Sequence, residues 1–394
     1  MRYFAGIDVA KDVHWLCVID ENARVLVDHA LHNTQEDIDS AIAELRGFKD
    51  ELVIGLDVMG SIAAFLEAAL IAEGFSLAHV PGIAVNRARA GYTRGEMKSD
   101  PRDARVIAEQ VRTRPDLRRF AVDDETTIAI RVLIGHRRDL VEDQTRRISR
   151  LRRVVGGIHP GLEKALDFTT LGPLHLMTRF VTPAEIRSAA MAGLMAHLQA
   201  RSGLRNRKPI AEAALAAAKA QHTVVPGEAA YAEVARELAT EALAVKARLL
   251  RLDEELGALL ERHPDAALIR SLPGMGAILT AEFIAAAGNI TRFRSADAMA
   301  AAAGLAPVMR QSGKSRSWRR TFGGDKDLKR VFYQSAFCAC STGDPISKAF
   351  YARKRREGKR HTQALIALAR RRVTVLWTML KNRSEFDPQR AMAA

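Results

Sequence analysis

Cysteine, long apolar runs and, in one region, acidic residues are scarce in this chain, and each scarcity excludes a class of protein. The three cysteines, Cys17, Cys338 and Cys340, form neither the framework of a disulfide-rich secreted domain nor a zinc-binding spacing. No uncharged apolar run reaches the roughly 18 residues that a membrane helix needs. The N-terminal stretch MRYFAGIDVAK meets an aspartate too early for a signal peptide. We therefore expect a cytoplasmic protein that does not enter a membrane.

Acidic residues are almost absent between Arg310 and Arg372, where 18 lysines and arginines face four acids. This excess equals the net charge of +14 carried by the whole 394-residue chain. A localised positive field indicates a polyanion as partner, and nucleic acid is the usual one. Lysines scattered over a solvated surface would give a similar total, but the arginines here cluster in RSWRR, RKRREGKR and RRR. Clustered guanidinium groups suit bidentate contacts with phosphate.

The first 125 residues alternate between strand and helix patterns. RYFAGIDVA, HWLCVID and RVLVDHAL predict three short strands with hairpin-length connections. TQEDIDSAIAELRGF has helical periodicity with Thr34 as its N-cap, and ELVIGLD, SIAAFLEAALIAEG and FSLAHV follow as strand, helix and strand. Residues 99–113 form a further predicted helix. Three antiparallel strands followed by alternating helix and strand is the order of the ribonuclease H-like α/β fold.

Two longer helices are predicted after this α/β region. In the first, over 126–160, the residues that recur every seven positions are Ile134, Val141, Ile148 and Val155. In the second, one seam comprises Leu238, Val245, Leu252 and Leu259, with Ala242, Leu249 and Leu256 four residues on. This alternation is typical of a coiled coil, and it fits a dimer seam and a pair of helices within one chain about equally well.

The segment LIRSLPGMGAILTAEFIAAAG places PGMG between two helical runs. This pattern is similar to a helix-hairpin-helix, in which Gly-rich backbone amides at a helix N-terminus can hold a phosphate. A tight turn between two core helices explains the same residues about equally well. The C-terminal region is therefore predicted to be mainly α-helical, with two interpretations of this turn.

Four aspartates of the α/β region are candidates for a metal site. Asp8 and Asp57 each end an apolar strand, in GIDVAK and GLDVMG, and functional groups gather at strand ends in α/β sheets. Asp100 and Asp103, in KSDPRDA, share one face of a predicted helix. Converging carboxylates repel each other unless a cation lies between them, and oxygen-only ligands select Mg²⁺ or Mn²⁺. The joint pattern therefore favours metal-dependent chemistry on phosphodiesters.

Each aspartate also has a structural explanation when it is taken alone. Asp8 can cap a turn, and Asp57 can begin the loop before the next helix. Asp100 followed by Pro101 predicts a helix start with Asp100 at the N-cap, which would place Asp103 at N3 beside the positive end of the helix dipole. These roles are compatible with metal binding.

Several motifs together resemble one known family. GIDVAK, GLDVMG, KSDPRDA, LPGMG…GLAPVMRQSG and AFYARKRREGKRHTQALIALARRRVTVLW follow the order and spacing of the DEDD transposases of insertion sequences, the "IS one-ten" group, also called bridge-RNA-guided recombinases. The resemblance implies a RuvC-like catalytic domain over 1–125, a helical and coiled-coil segment over 126–262 and a C-terminal transposase domain over 263–394. It also implies an acidic tetrad that binds Mg²⁺ or Mn²⁺, formed by Asp8, Asp57, Asp100 and Asp103. The second acid of the family is usually glutamate, so Asp57 is one methylene shorter and its reach to a metal differs.

The resemblance further implies a serine nucleophile in the C-terminal domain. The matching motif RQSGKS points to Ser312, with Ser315 and Ser317 as alternatives. A serine hydroxyl can attack a phosphodiester and conserve its energy as a phosphoserine bond. In the family, two subunits are implied to bring this serine and the tetrad together. The basic residues that flank the serine and could clamp the scissile phosphate are Arg310, Lys314 and Arg316.

The predicted partners follow from the basic charge and from the resemblance. Candidate nucleic-acid-binding residues are Lys98, Arg102, Arg310, Lys314, Arg316, Arg319, Arg320, Arg353, Lys354, Arg355, Arg356, Lys359 and Arg360. Aromatic residues interleaved with them could stack on bases, although most are expected in the core: Trp318, Phe322, Tyr333, Phe350 and Tyr351. The resemblance implies double-stranded DNA at the element ends and target, a structured non-coding guide RNA, and a homo-oligomer, either dimer or tetramer.

Two alternative functions fit the same residues. A structure-selective nuclease that resolves DNA junctions would use the tetrad with water as the nucleophile and would need no serine. A non-catalytic nucleic-acid-binding protein with a decayed site would explain the departure at Asp57.

Overall fold

A computed structural model of the chain describes residues 2–91, 99–115, 117–119, 124–313, 315–319, 321 and 323–389. The candidates Lys98, Lys314, Arg320 and Phe322 lie outside these residues, and only the backbone of Arg310 is described. Residues 1–123 and 124–394 form two separate units. The domain boundaries that we infer from the sequence stay predictions.

The first unit is built on a sheet flanked by helices. Its strands are β1 (Tyr3–Asp8), β2 (Val13–Asp20), β3 (Val25–His32), β4 (Leu52–Leu56), β5 (Ser76–His79) and β6 (Arg118–Arg119). Its helices are α1 (Gln35–Leu45), α2 (Ala64–Ala72), α3 (Gly82–Ala90) and α4 (Asp100–Thr113), with 3-10 turns at Arg46–Glu51 and Ser61–Ala63. The sequence patterns predicted every one of these strands and helices except α3 and β6.

The sheet has the strand order β3-β2-β1-β4-β5-β6. Strands β1, β2 and β3 form an antiparallel meander, β4 and β5 run parallel to β1, and β6 is antiparallel to β5. Alternate residues of β2 point to opposite faces, as the pleat of a strand requires. Leu16 and Val18 join the core under α1 and α2, whereas Cys17 and Ile19 pack against α4. Both faces of the sheet are therefore covered, which explains the near-continuous apolar strands.

The second unit is almost entirely helical. Its helices are α5 (Glu125–Ile158), α6 (Pro160–Ala165), α7 (Leu171–Met177), α8 (Pro183–Gln199), α9 (Arg207–Ala220), α10 (Glu228–Arg262), α11 (Ala266–Ser271), α12 (Ala277–Ala287), α13 (Ala296–Ala302), α14 (Lys326–Thr342), α15 (Pro345–Arg356) and α16 (His361–Asn382), with a 3-10 turn at Ile290–Arg292. A hairpin of β7 (Val308–Ser312) and β8 (Ser315–Arg319) interrupts them. The prediction of an α/β N-terminal region followed by a mainly helical remainder is confirmed.

Helices α5 and α10 pack against each other in antiparallel orientation. Arg137 Nε lies 2.6 Å from Asp253 Oδ1, and Arg147 Nε lies 2.8 Å from Glu241 Oε2, so residue numbers rise along one helix as they fall along the other. The seam residues Val245, Leu252 and Leu259 share one buried core with residues of α5 and of α11 to α16. Leu238 lies in a second core, formed with the other half of α5 and with α6 to α9. The seam is thus filled within one chain.

The PGMG turn packs closely against α14. A Cβ atom on Gly274 would lie 2.6 Å from the carbonyl oxygen of Ser335 and 2.7 Å from the amide nitrogen of Ala339, and Gly274 has a φ of +81°. Only glycine fits both the backbone conformation and the close approach. The arrangement matches a tight turn between two core helices, and a phosphate at this turn stays a prediction. Among the described residues, no helix combines the length and the hydrophobicity needed to cross a membrane.

Candidate active site

Asp8 and Asp57 lie next to each other at one edge of the sheet. The parallel register of β1 and β4 pairs Ile7 with Leu56, and the two aspartates are the next residues along these neighbouring strands. Adjacent strands lie about 4.8 Å apart. The Asp57 carboxylate accepts a hydrogen bond of 3.2 Å from the amide of Val9, which ties the two strand ends together. Both aspartates are half-buried.

Helix α4 reaches this edge because two strand residues are glycines. A Cβ atom on Gly6 would overlap the carbonyl oxygen of Ala104, and one on Gly55 would lie 2.5 Å from Val111 Cγ2. Side chains at either position would push the helix off the sheet. The close packing fixes the first turns of α4, including Asp103, near the ends of β1 and β4.

Asp103 is buried, with 4% of its surface exposed, and is paired with Arg89 of α3. Arg89 Nη1 lies 2.6 Å from each oxygen of the carboxylate, and its Nη2 donates to Asn86 Oδ1 at 2.7 Å. A buried carboxylate requires such a partner, because desolvation penalises an uncompensated charge. Sequence reasoning missed Arg89, since α3 has no clear apolar periodicity and Arg89 contacts α4 only through the tertiary fold.

The surroundings of Asp57 disfavour its charged form. Burial raises the pKa of Asp57 above its ordinary value, and the negative charge of Asp103 raises it further. Hydrogen bonds from the amides of Val9, Val58 and Asp57 itself oppose these effects. Asp103 is therefore close enough to Asp57 for the two charges to interact.

Asp100 is exposed at the start of α4. The predicted cap is wrong: the N-cap is Ser99, whose extended backbone places its carbonyl oxygen 3.0 Å from the amide of Asp103. Asp100 is thus the first helical residue, Pro101 the second and Asp103 the fourth. Both acids still lie in the first turns, where the helix dipole favours negative charge.

In the part of the chain that the structure describes, no three His, Cys, Asp or Glu side chains are arranged to hold one metal ion together. The donor chemistry of Asp8, Asp57 and Asp103 nevertheless suits a hard cation, because all the ligand atoms are carboxylate oxygens. The repulsion between Asp57 and Asp103 is also of the kind that a divalent cation relieves. Metal ligation by all four aspartates stays a prediction.

Ser312 lies at the exposed tip of the β7–β8 hairpin, in the second unit. It pairs with Ser315 across a tight turn in which Gly313 has a φ of +55°, a conformation suited to glycine. Because side chains alternate along a strand, Ser312, Ser315 and Ser317 share one face, and Arg316 lies on the other. Arg316 is therefore poorly placed to clamp a phosphate held at Ser312.

Most of the candidate nucleic-acid-binding residues are at the surface. Those that are exposed are Arg316, Arg319, Arg353, Arg355, Arg356, Lys359 and Arg360. Lys354 is half-buried with its Nζ 2.7 Å from Glu357 Oε2, and Arg102 is half-buried in the first turn of α4. Sequence reasoning did not single out Arg371, which lines a cavity beside α15.

Comparisons with known proteins place similar sequences along most of this chain. A family model for transposases of the DEDD IS110 group matches residues 5–160, and a second, described as transposase IS116/IS110/IS902 family, matches residues 266–352. The 42 kDa protein of insertion element IS900 from Mycobacterium paratuberculosis is 41% identical over 99% of this chain and 98% of its own length. This chain belongs to the IS110 family of transposases.

Other proteins extend the comparison for this IS110-family chain. The 44.8 kDa protein of insertion element IS116 from Streptomyces clavuligerus is 37% identical over 98% of this chain and 96% of its own. A solved structure of T. thermophilus RuvC in complex with a Holliday junction substrate aligns over all of its own chain and 30% of the transposase, with 15% identity and a TM-score of 0.24.

Proposed function

We propose that this transposase cuts and rejoins DNA at the ends of an insertion element, using the acidic tetrad and a serine nucleophile. The observation that carries the proposal is the convergence of Asp8 and Asp57 at one sheet edge, with Asp103 close enough to raise the pKa of Asp57. The antiparallel meander followed by parallel strands supports a RuvC-like assignment for the first unit. Carboxylates at strand ends are where such a sheet places functional groups.

Asp8, Asp57, Asp100 and Asp103 would hold Mg²⁺ or Mn²⁺. The chemistry supplied there by a bound divalent cation is polarisation of the scissile phosphate and a lower pKa for the attacking hydroxyl. The buried carboxylate of Asp103 is fixed by the packing of α4, and the Val9 amide orients Asp57. Fixed ligands of this kind keep a phosphodiester in a reactive position.

Ser312 is the proposed nucleophile. Its Oγ attacks the phosphorus, a phosphoserine bond forms, and the bond from phosphorus to one DNA end breaks. The serine proton ends on the hydroxyl of the released strand end, so the step is balanced without another reactant. Attack by a new strand end on the phosphoserine reverses the process and rejoins DNA. The exposed position of Ser312 at a hairpin tip supports access to a duplex.

We also propose that a structured non-coding RNA selects the DNA sequence and that the protein acts as a homo-oligomer. Both statements rest on the family resemblance. Guided recognition leaves the protein to contact phosphate backbones, which suits a region with 18 basic and four acidic residues. Recombination of two DNA ends requires at least two active centres, which is consistent with a dimer or tetramer.

The serine is tested by trapping the covalent intermediate. The protein, together with the nucleic acid that co-purifies with it, is incubated with Mn²⁺ and end-labelled DNA that carries the element boundary, and the denatured protein is examined for bound label. We expect Ser312→Ala to abolish the adduct and Ser315→Ala, across the same turn, to retain it. Asp103→Asn should abolish both cleavage and adduct. Loss of the adduct only in Ser315→Ala would assign the nucleophile to Ser315 instead.

The same assay separates the alternative functions. Metal-dependent nicking that persists in Ser312→Ala without any adduct would indicate a junction-resolving nuclease. Binding without cleavage in the wild-type protein would indicate a decayed site. Sequencing the nucleic acid that co-purifies with the protein tests guidance: a discrete structured RNA supports it, and random cellular fragments contradict it.

A further inference from the structure

A cavity of about 510 Å³ lies beside α15 and α16. The apolar part of its lining includes Ile346, Ala349 and Phe350, and the charged residues that line it are Arg353, Arg356 and Arg371. This volume falls within the range of roughly 300–1,000 Å³ that is typical of small-molecule sites. The cavity, which we call the Phe350 pocket, thus combines an aromatic ring, an apolar floor and three guanidinium groups.

Positive charges from two helices converge on one ring in this pocket. The guanidinium carbon of Arg353, from α15, lies 5.0 Å from the centre of the Phe350 ring, and that of Arg371, from α16, lies 5.2 Å from it. Lys354 Nζ lies 5.5 Å from the centre of the same ring. Each cation–π contact is attractive, but the cations repel one another. None of the described residues that line the pocket is acidic, although Glu357, which follows the end of α15, lies outside the lining with its Oε1 3.8 Å from Arg353 Nε. The arrangement therefore favours an anion between the guanidinium groups.

The pocket also has an apolar surface that an anion alone would not contact. A phosphate would contact the guanidinium groups, whereas Ile346, Ala349 and the exposed part of the Phe350 ring offer an apolar surface next to them. Guanidinium planes and aromatic rings both stack on nucleobases. A nucleoside phosphate presents this combination of charge and flat apolar surface.

We propose that the Phe350 pocket binds one unstacked nucleotide of a single-stranded nucleic acid. The phosphate lies between Arg353 and Arg371, and the base packs against the Phe350 ring and the apolar floor. This inference rests on the proposed function, because it requires that the transposase binds nucleic acid. A duplex exposes its phosphates but keeps its bases stacked, so the pocket selects single-stranded, looped or bulged segments.

The test measures oligonucleotide affinity with the full-length protein freed of co-purified nucleic acid. Fluorescence anisotropy follows a labelled single-stranded RNA, the same sequence as DNA, and the corresponding duplex. The variants are Arg371→Gln, which removes one clamp, and Phe350→Leu, which keeps apolar volume but removes the ring. The matched control is Lys348→Gln, because Lys348 is exposed on the same helix, α15, and does not line the pocket.

We expect Arg371→Gln and Phe350→Leu to weaken single-strand binding about tenfold or more, and Lys348→Gln to weaken it much less. Phe350→Leu should leave duplex binding unchanged. Adenosine monophosphate should compete with the oligonucleotide at lower concentrations than inorganic phosphate does. A larger loss of affinity for RNA or for DNA would identify which of the two nucleic acids occupies the pocket, and either result supports the proposal.

Three results would overturn the proposal. Equal losses in Arg371→Gln and Lys348→Gln with no loss in Phe350→Leu would indicate a general positive field. Equal competition by inorganic phosphate would indicate an anion site without a base. Equal loss of duplex and single-strand binding in Phe350→Leu would contradict a site for unstacked bases. If Arg371→Gln fails to fold, Arg371→Lys keeps the charge and removes the planar clamp. Failure of the proposed function is distinguishable, since it appears as an absent covalent adduct in the wild-type protein.

Discussion

Arg89 holds both carboxylate oxygens of Asp103, each 2.6 Å from its Nη1. The guanidinium supplies the positive charge that a buried carboxylate needs in the absence of metal. A divalent ion that binds Asp103 must displace this group or share the carboxylate with it. Arg89 and a metal ion are therefore expected to compete for the same residue.

Arg89→Gln should lower the melting temperature of the metal-free protein. It should also increase the rise in melting temperature that Mn²⁺ produces. Removing one partner of a buried pair costs about 3–5 kcal/mol, because the remaining charge is left uncompensated. Thermal unfolding in EDTA and in Mn²⁺ measures both effects, and electron paramagnetic resonance measures free Mn²⁺ directly. The control is Arg87→Gln, an exposed arginine of the same helix. If Mn²⁺ stabilises Arg89→Gln no more than the wild-type protein, the competition does not exist.

Substitution of Asp57 tests the repulsion between its carboxylate and that of Asp103. Asp57→Asn keeps an oxygen for the Val9 amide but removes the charge that burial and Asp103 disfavour. We expect this variant to unfold a few degrees higher than the wild-type protein in EDTA and to lose Mn²⁺ binding. Asp57→Glu restores the residue usual in the family and should retain Mn²⁺ binding. A metal-free Asp57→Asn protein that unfolds earlier would show that the repulsion is negligible.

The three consecutive arginines of RRR show what the sequence could and could not predict. Composition correctly indicated a basic, helical C-terminal region, but the three side chains have three different environments. Arg370 pairs with Asp297, Arg371 lines the Phe350 pocket, and Arg372 is buried with only 4% exposed. A helix rotates by about 100° per residue, so neighbours necessarily face different surroundings. Which face meets the core depends on tertiary packing, and the cluster alone does not give it.

In the acidic site, too, local sequence patterns predicted some features, whereas others depend on the tertiary fold. The sequence predicted that Asp8, Asp57 and Asp103 lie near one another. Strand ends and a helix start follow from local patterns, and sheet topology then brings them to the same place. The partner of Asp103 could not be found in this way, because Arg89 lies on α3, a helix that the sequence patterns did not predict.

The heptad spacing in α5 also gave one wrong position. Val141 follows the spacing but is exposed, whereas the adjacent Leu140 is buried. An ideal helix drifts relative to a seven-residue repeat.

Arg372 is expected to support the fold and not to contact nucleic acid. Its Nε and Nη2 lie 3.0 and 2.7 Å from Ser335 Oγ, its Nη2 also donates to the Pro273 carbonyl, and burial lowers its pKa to about 10. Arg372→Met should destabilise the protein by about 1–3 kcal/mol through the groups left unsatisfied. In urea unfolding, the effects of Arg372→Met and Ser335→Ala should not be additive, since both remove the same contact. Weakened oligonucleotide binding with unchanged stability would place Arg372 at the nucleic-acid surface.

The heptad seam of α10 is expected to stabilise the monomer fold and not to join subunits. Leu252 is 7% exposed in the core shared with α5, whereas Leu250 on the same helix is 62% exposed. Leu252→Ala should cost about 2–5 kcal/mol, because it leaves a cavity in a packed core, and Leu250→Ala should be nearly neutral. The melting temperature of Leu252→Ala should fall equally at all protein concentrations, and light scattering should show the same mass as the wild-type protein. A lower mass in Leu252→Ala would place the seam between chains, since only an intersubunit contact couples its loss to dissociation.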